Sequence, residues 1–173
     1  MRISTITYAE FGTLVIDGVT EPFSSSPPIQ DTDLVMTVTG EDLVIRTGVN
    51  MGPVNVVLER HPHAPELEGE GAWDDVVEVS GRTISGVPVS VHGPTELPTE
   101  GIGEVGLTDG ASVTLRIHAA CRGEAHDLAV DHTTERYLIQ VWTSPEGAAP
   151  RGSTRTRAWS AVSPEVIGEV SPG

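Results

Sequence analysis

Apolar residues in this chain recur every second position, in short runs broken by glycine and proline. Ile3 to Ala9 alternates, and Phe11 to Asp17 is mostly apolar. Leu34, Met36 and Val38 interleave with Val35, Thr37 and Thr39, and Leu43 to Arg46 follows after Gly40-Glu41-Asp42, a pattern that predicts a hairpin. The pattern continues through Val54 to Glu59, Asp75 to Ser80, Val87 to His92, Val113 to Ala119 and Tyr137 to Trp142. A period of two places alternate side chains on opposite faces of a strand, so each run can bury one face and wet the other. The 19 glycines and 13 prolines leave no window long enough for an amphipathic helix, apart from Glu124 to Gln140, which carries β-branched residues and no consistent stripe. The expected fold is all-β and mainly antiparallel: a two-sheet β-sandwich of about nine strands.

A length of 173 residues suits one core. We expect a single sandwich domain over residues 1–162, with a strand-like piece around Ala158 to Val162, and a frayed C-terminal tail over 163–173. Three connections stand out. Ser24-Ser25-Ser26-Pro27-Pro28 reads as a polar turn, His61 to Gly71 as a long acidic excursion, and Ser144 to Thr156 as a loop rich in Pro, Gly, Ala and Arg.

Charge narrows the function. The formal net charge is −15, and the stretch from Glu66 to Asp109 holds ten carboxylates against the single Arg82, a net of nine of those charges. Phosphate backbones and anionic membrane surfaces need Lys and Arg to neutralise them, so direct binding to nucleic acid or membrane is not expected. A basic protein would be attracted and steered. All ten basic residues are arginine, which with abundant Ala, Gly, Val and Pro points to a high-GC bacterial genome. Cys121 is alone, so an internal disulfide is ruled out. The opening residues lack an apolar stretch with a small-residue cleavage site, and no run approaches the roughly 18 apolar residues of a membrane span. A cytoplasmic location is the expectation.

Catalytic constellations are thin. His61 and His63, with Glu66, Glu68 or Glu70, have the residue types of a mixed nitrogen and oxygen metal site, but Pro62 and Pro65 put them in a loop where periodicity fixes no ligand direction. His126-Asp127 and Asp131-His132 pair imidazole with carboxylate, yet neighbours on a strand point to opposite faces. Cys121 precedes Arg122, whose guanidinium could activate the thiol, but a lone cysteine at a strand end reads first as a small buried hydrophobe. Gly101-Ile102-Gly103-Glu104-Val105-Gly106 meets only part of the phosphate-cradling pattern, and its acids would repel phosphate. No nucleophile, base and orienting group assemble, so an enzyme is not expected, and no cofactor or metal is assigned.

The candidate binding site is the acid run. Glu66, Glu68 and Glu70 fall at alternate positions, so an extended segment would present all three on one side, next to Asp74, Asp75 and a possible aromatic anchor, Trp73. The competing reading is a solvated loop followed by a strand, with Trp73 in the core.

In order, the opening strand Ile6-Thr7-Tyr8-Ala9-Glu10-Phe11, the early Ser/Pro connection, the central strand Val54 to Arg60, the stretch Trp73-Asp74-Asp75-Val76-Val77-Glu78-Val79 and the late strand Tyr137-Leu138-Ile139-Gln140-Val141-Trp142-Thr143-Ser144-Pro145 give the chain its outline. This outline resembles the competence protein J family of small bacterial proteins, typified by a partner and inhibitor of a nuclease. The resemblance covers some 140 residues, through short apolar stretches, and carries no residue role across. It implies a β-sandwich that binds a nuclease and blocks its active site. The expected activity is therefore non-catalytic protein binding, as an acidic inhibitor or immunity-type partner of a nuclease. The alternative is a sandwich that binds a divalent metal through His61 and His63, or a carbohydrate.

Overall fold

The computed structural model describes residues 1–26, 32–38, 42–66, 72–97, 101–102 and 110–146. Among these residues it contains eleven strands and no helix: β1 (Arg2–Ala9), β2 (Thr13–Asp17), β3 (Val19–Ser26), β4 (Val35–Val38), β5 (Asp42–Arg46), β6 (Gly52–Arg60), β7 (Asp75–Thr83), β8 (Val89–His92), β9 (Gly101–Ile102), β10 (Ser112–Ala120) and β11 (Arg136–Thr143). They form a six-stranded sheet in the order β1-β6-β11-β10-β7-β3 and a five-stranded sheet in the order β4-β5-β2-β8-β9. Each period-two run of the sequence became a strand, and β4 and β5 pair as the expected hairpin, from Val35 opposite Ile45 to Val38 opposite Asp42.

Two strands were not expected. β3 runs through the serines read as a turn, with Ser24, Ser25 and Ser26 opposite Ser80, Val79 and Glu78. An edge strand is hydrogen-bonded on one side only, so it tolerates Pro22 and polar side chains that a central strand would not. The register shifts between Thr20 and Ser24, around that proline. The two-residue β9 pairs with β8 at the first glycine of the rejected phosphate-like pattern. The piece around Ala158 to Val162 and the tail over 163–173 lie outside the described residues.

Alternation builds the core. Val54, Val56, Leu58, Val77, Val79, Val113, Leu115, Ile117, Tyr137, Ile139 and Val141 of the larger sheet face Leu14, Ile16, Leu43, Ile45, Val89 and Val91 of the smaller one, and all are buried. Burial of each large aliphatic side chain stabilises the fold by about 1.5–3 kcal/mol. All strand pairs are antiparallel except β6 with β11, where Arg136 to Val141 run alongside Asn55 to Arg60. That parallel pair lets β11 fill the centre of the larger sheet, between β6, the partner of β1, and the β7–β10 pair.

One departure from alternation matters for function. β10 is buried on both faces from Val113 to Ala120, although an outer sheet face would normally meet water. Thr114, Arg116 and His118 of β10, with Gln140 and Trp142 of β11, lie on the side away from the core and are nonetheless buried. On this side the described residues flanking the acidic excursion lie against the sheet: Pro65 and Glu66 at Arg116, and Trp73 at His118.

Candidate functional site: the acidic excursion and its platform

Both shoulders of the excursion are fixed to the outer face of the larger sheet. On the near side, Arg116 Nη1 donates to the carbonyl oxygen of Pro65 at 3.0 Å and, more weakly, to that of Glu66 at 3.5 Å. On the far side, Arg136 Nη2 donates to the carbonyl oxygen of Ala72 at 2.9 Å, and its guanidinium lies 5.2 Å from the Trp73 ring centre. A guanidinium over an indole face is attracted by the ring quadrupole. Trp73 in turn meets the His118 ring, with centres 5.3 Å apart and planes tilted by 55°. Trp73 is therefore half-buried in a small aromatic and cationic cluster outside the sandwich, not in its core.

The platform beneath is polar and internally matched. Arg116 makes a two-armed contact with Glu78, with Nε and Nη2 each 2.8 Å from Oε1, and its guanidinium sits 5.1 Å from the Trp142 ring centre. Arg116 and Glu78 stand opposite one another in the β10–β7 register, which explains the pairing. Both are buried, so either charge alone would carry a heavy desolvation penalty. Beside them a hydrogen-bonded chain runs from His61 to Glu59 (3.0 Å), from Gln140 to Glu59 (3.2 Å) and from His118 to Gln140 (3.3 Å). Burial tends to raise the Glu59 carboxyl, but its bonds from His61 and Gln140 and the charge of Arg2 at 3.2 Å outweigh this and hold it below its ordinary value.

The acids expected to form one surface divide into two groups. Glu66 is exposed, and its arginine contact goes through its backbone, leaving the carboxylate in water. Asp74 is exposed too, with Oδ2 accepting the Cys121 backbone N–H at 2.8 Å. Asp75 belongs to the interior. It shares the parity of Val77 and Val79, is 4% exposed, and accepts from Arg122 Nη1 at 3.1 Å. Its charge is neutralised inside the protein and adds nothing to a surface. Glu68 and Glu70 lie outside the described residues.

The remaining motifs resolve locally. His61 turns to Glu59 and His63 is exposed, so among the described residues no common partner brings the two imidazoles together. Among the described residues, no three His, Cys, Asp or Glu side chains are grouped to hold a metal ion. Asp127 bonds Asn50 Nδ2 at 3.1 Å, not an imidazole. Arg122 points inward to Asp33 and Asp75, so the guanidinium beside the half-buried Cys121 belongs to Arg136, whose Nη1 is 3.6 Å from Sγ.

A second polar cluster escaped the sequence reading. The Glu135 carboxylate is wholly buried and accepts the backbone N–H groups of Gly48 at 2.8 Å and Val49 at 3.0 Å, together with the Tyr137 hydroxyl. Burial, and then the neighbouring Glu135, push the Tyr137 hydroxyl well above its ordinary range, so it acts here as a donor. Glu135 thus fixes the β5–β6 connection to β11 across 87 residues of chain. A carboxylate just before an apolar strand gives no hint that distant backbone groups will claim it.

Fold and site together define an all-β sandwich whose outer face carries an arginine-pinned acidic excursion. No protein-family model matches the chain, and no curated protein matches it. Among solved structures it is similar to ComJ, an inhibitor of the DNA degrading activity of NucA, from Bacillus subtilis. The identity is 14%, the match covers 83% of this chain and 99% of that one, and the TM-score is 0.44. This loose similarity is to a member of the family that the order of strands resembles; it assigns no activity and no residue role to the present chain.

Proposed function

We propose that this chain is a non-catalytic protein-binding module, an acidic inhibitor or immunity-type partner of a nuclease, and that the excursion holding Glu66, Glu68 and Glu70 forms the recognition surface with Asp74 at its far shoulder. One observation carries the reading: among the described residues, Arg116 and Arg136 hold the two shoulders of the excursion through the carbonyl oxygens of Pro65, Glu66 and Ala72, and Arg116 reaches Glu66 through its backbone and not its carboxylate. The two shoulders are anchored while the Glu66 carboxylate is exposed. Anchoring lowers the ordering cost of binding, and free carboxylates on a chain of net charge −15 attract a basic partner. A nuclease must present a basic cleft to a polyanion, and an acidic ridge can occupy that cleft in place of phosphates. Trp73 anchors the ridge from beneath, and Asp75 serves the fold.

The test is a pull-down of the tagged protein from lysate of its own host, washed at low and then high salt, beside the triple variant E66K/E68K/E70K. The reading expects a basic nuclease, identified by mass, that is held at low salt, released at high salt and lost with the variant. Retention of the same partner by the variant would move the interface elsewhere on the protein.

A further inference from the structure

A cleft of about 640 Å³ opens at one end of the sandwich, between the β1–β2 turn, the β5–β6 connection and the β10–β11 connection. Its volume lies in the range of small-molecule sites. Its floor is held by backbone hydrogen bonds between these segments: Gly12 N–H to Asn50 O at 2.9 Å, Thr47 N–H to Gly12 O at 2.8 Å and Asp127 N–H to Gly48 O at 2.8 Å. Glu135 fixes Gly48 and Val49 from behind. The cleft is therefore preformed.

Backbone strain gathers at its mouth. Among the described residues, three that are not glycine adopt a positive φ: Phe11 at 54°, Cys121 at 64° and Asp127 at 58°. Phe11 and Asp127 line the cleft, and Cys121 immediately precedes Arg122, which also lines it. Phe11 is the telling case. With Gly12 at φ 68° it forms a two-residue hairpin turn, in which the first position favours Asn, Asp or Gly. An aromatic ring there is strained, and at 73% exposure it gains little from burial. Residues held in unfavourable conformations without a packing reason concentrate at binding sites.

The charge of the cleft points to the ligand. Arg122 in its wall is matched by Asp33 and Asp75. Arg46 is exposed, and among the described residues its guanidinium makes one weak contact, from Nε to Met36 Sδ at 3.3 Å. Arg46 and Met36 form a ridge shared with an adjoining cleft of about 500 Å³. An open guanidinium fork suits a carboxylate, while the Phe11 ring and Met36 offer apolar surface to the rest of the molecule. Asp33 and Asp127 on the same walls disfavour a multiply charged phosphate. We propose that this cleft is a second site, separate from the acidic excursion, that binds a small organic monocarboxylate with an aromatic or apolar body, the carboxylate on Arg46 and the body against Phe11.

Phenylacetate is a suitable probe, titrated into the full chain and followed by amide and arginine Nε–H NMR shifts, with benzyl alcohol and inorganic phosphate as comparisons. The expected result is saturable shifts at Gly12, Gly48, Asn50 and the Arg46 Nε–H with phenylacetate, and none with either comparison compound. R46Q should weaken binding about tenfold or more, as loss of a charge-assisted contact does. F11N should also weaken binding while raising the melting temperature, because asparagine accepts the turn that phenylalanine strains. Absence of saturable shifts, equal shifts with phosphate, unchanged affinity in R46Q, or a lower melting temperature in F11N would each overturn the proposal.

Discussion

The Arg116 guanidinium reaches the carbonyl oxygen of Pro65 at 3.0 Å, joining the middle of β10 to the first shoulder of the acidic excursion across 51 residues of chain. The same guanidinium neutralises Glu78 and lies against Trp142. Arg116 thus couples the stability of the larger sheet to the placement of the surface charge. A cation in the middle of a buried strand is costly unless all its donors are used, and here they reach a carboxylate and two carbonyls.

Replacing Arg116 should therefore be severe. R116A leaves Glu78 buried without its cation and frees the near shoulder, and should destabilise the protein by about 3–5 kcal/mol in urea unfolding. The double variant R116M/E78M removes both charges and should lose clearly less than R116A alone. A double variant as unstable as the single would mean that Arg116 acts mainly through Pro65 and Glu66 and not through Glu78.

Glu135 offers a separate test of how the end of the sandwich is held. E135A orphans the Gly48 and Val49 N–H groups and the Tyr137 hydroxyl, each a buried donor, at about 1–3 kcal/mol apiece before any relaxation. Hydrogen exchange at Gly48 and Val49 should quicken far more than at Leu115 in the core. Uniform quickening would show that the β5–β6 connection does not depend on this carboxylate.

The Glu59 carboxyl gives a pH signature with a definite sign. Its folded value lies below the ordinary 4.5, so its contribution to stability is complete above that value and is lost as pH falls through the folded value. The melting temperature should drop on acidification below about pH 4.5, and E59Q should flatten that part of the profile. An unchanged acid slope in E59Q would assign the loss to other carboxylates.

Strand positions were readable because the sandwich buries one face of most strands, and alternation records that directly. β3 was not, because an edge strand asks so little of its sequence that Pro22 and three serines suffice. The divided fate of the acids was partly readable: Asp75 shares the parity of Val77 and Val79, which already places it inside. The pairing of Arg116 with Glu78 was not, since it depends on a register between strands 38 residues apart. For the same reason Trp73 read as either core or interface, whereas it fills a third place, the outer face of the sheet between His118 and Arg136.

The function proposed above has an acidic ridge, held at its shoulders, blocking a basic nuclease. Its most direct test is the DNA-degrading activity of host lysate, measured with increasing amounts of the purified protein at low and at high salt. Degradation should fall on stoichiometric addition of the wild-type protein at low salt, recover at high salt, and continue undiminished when E66K/E68K/E70K is added instead. Degradation that continues unchanged at every amount of wild-type protein would contradict it.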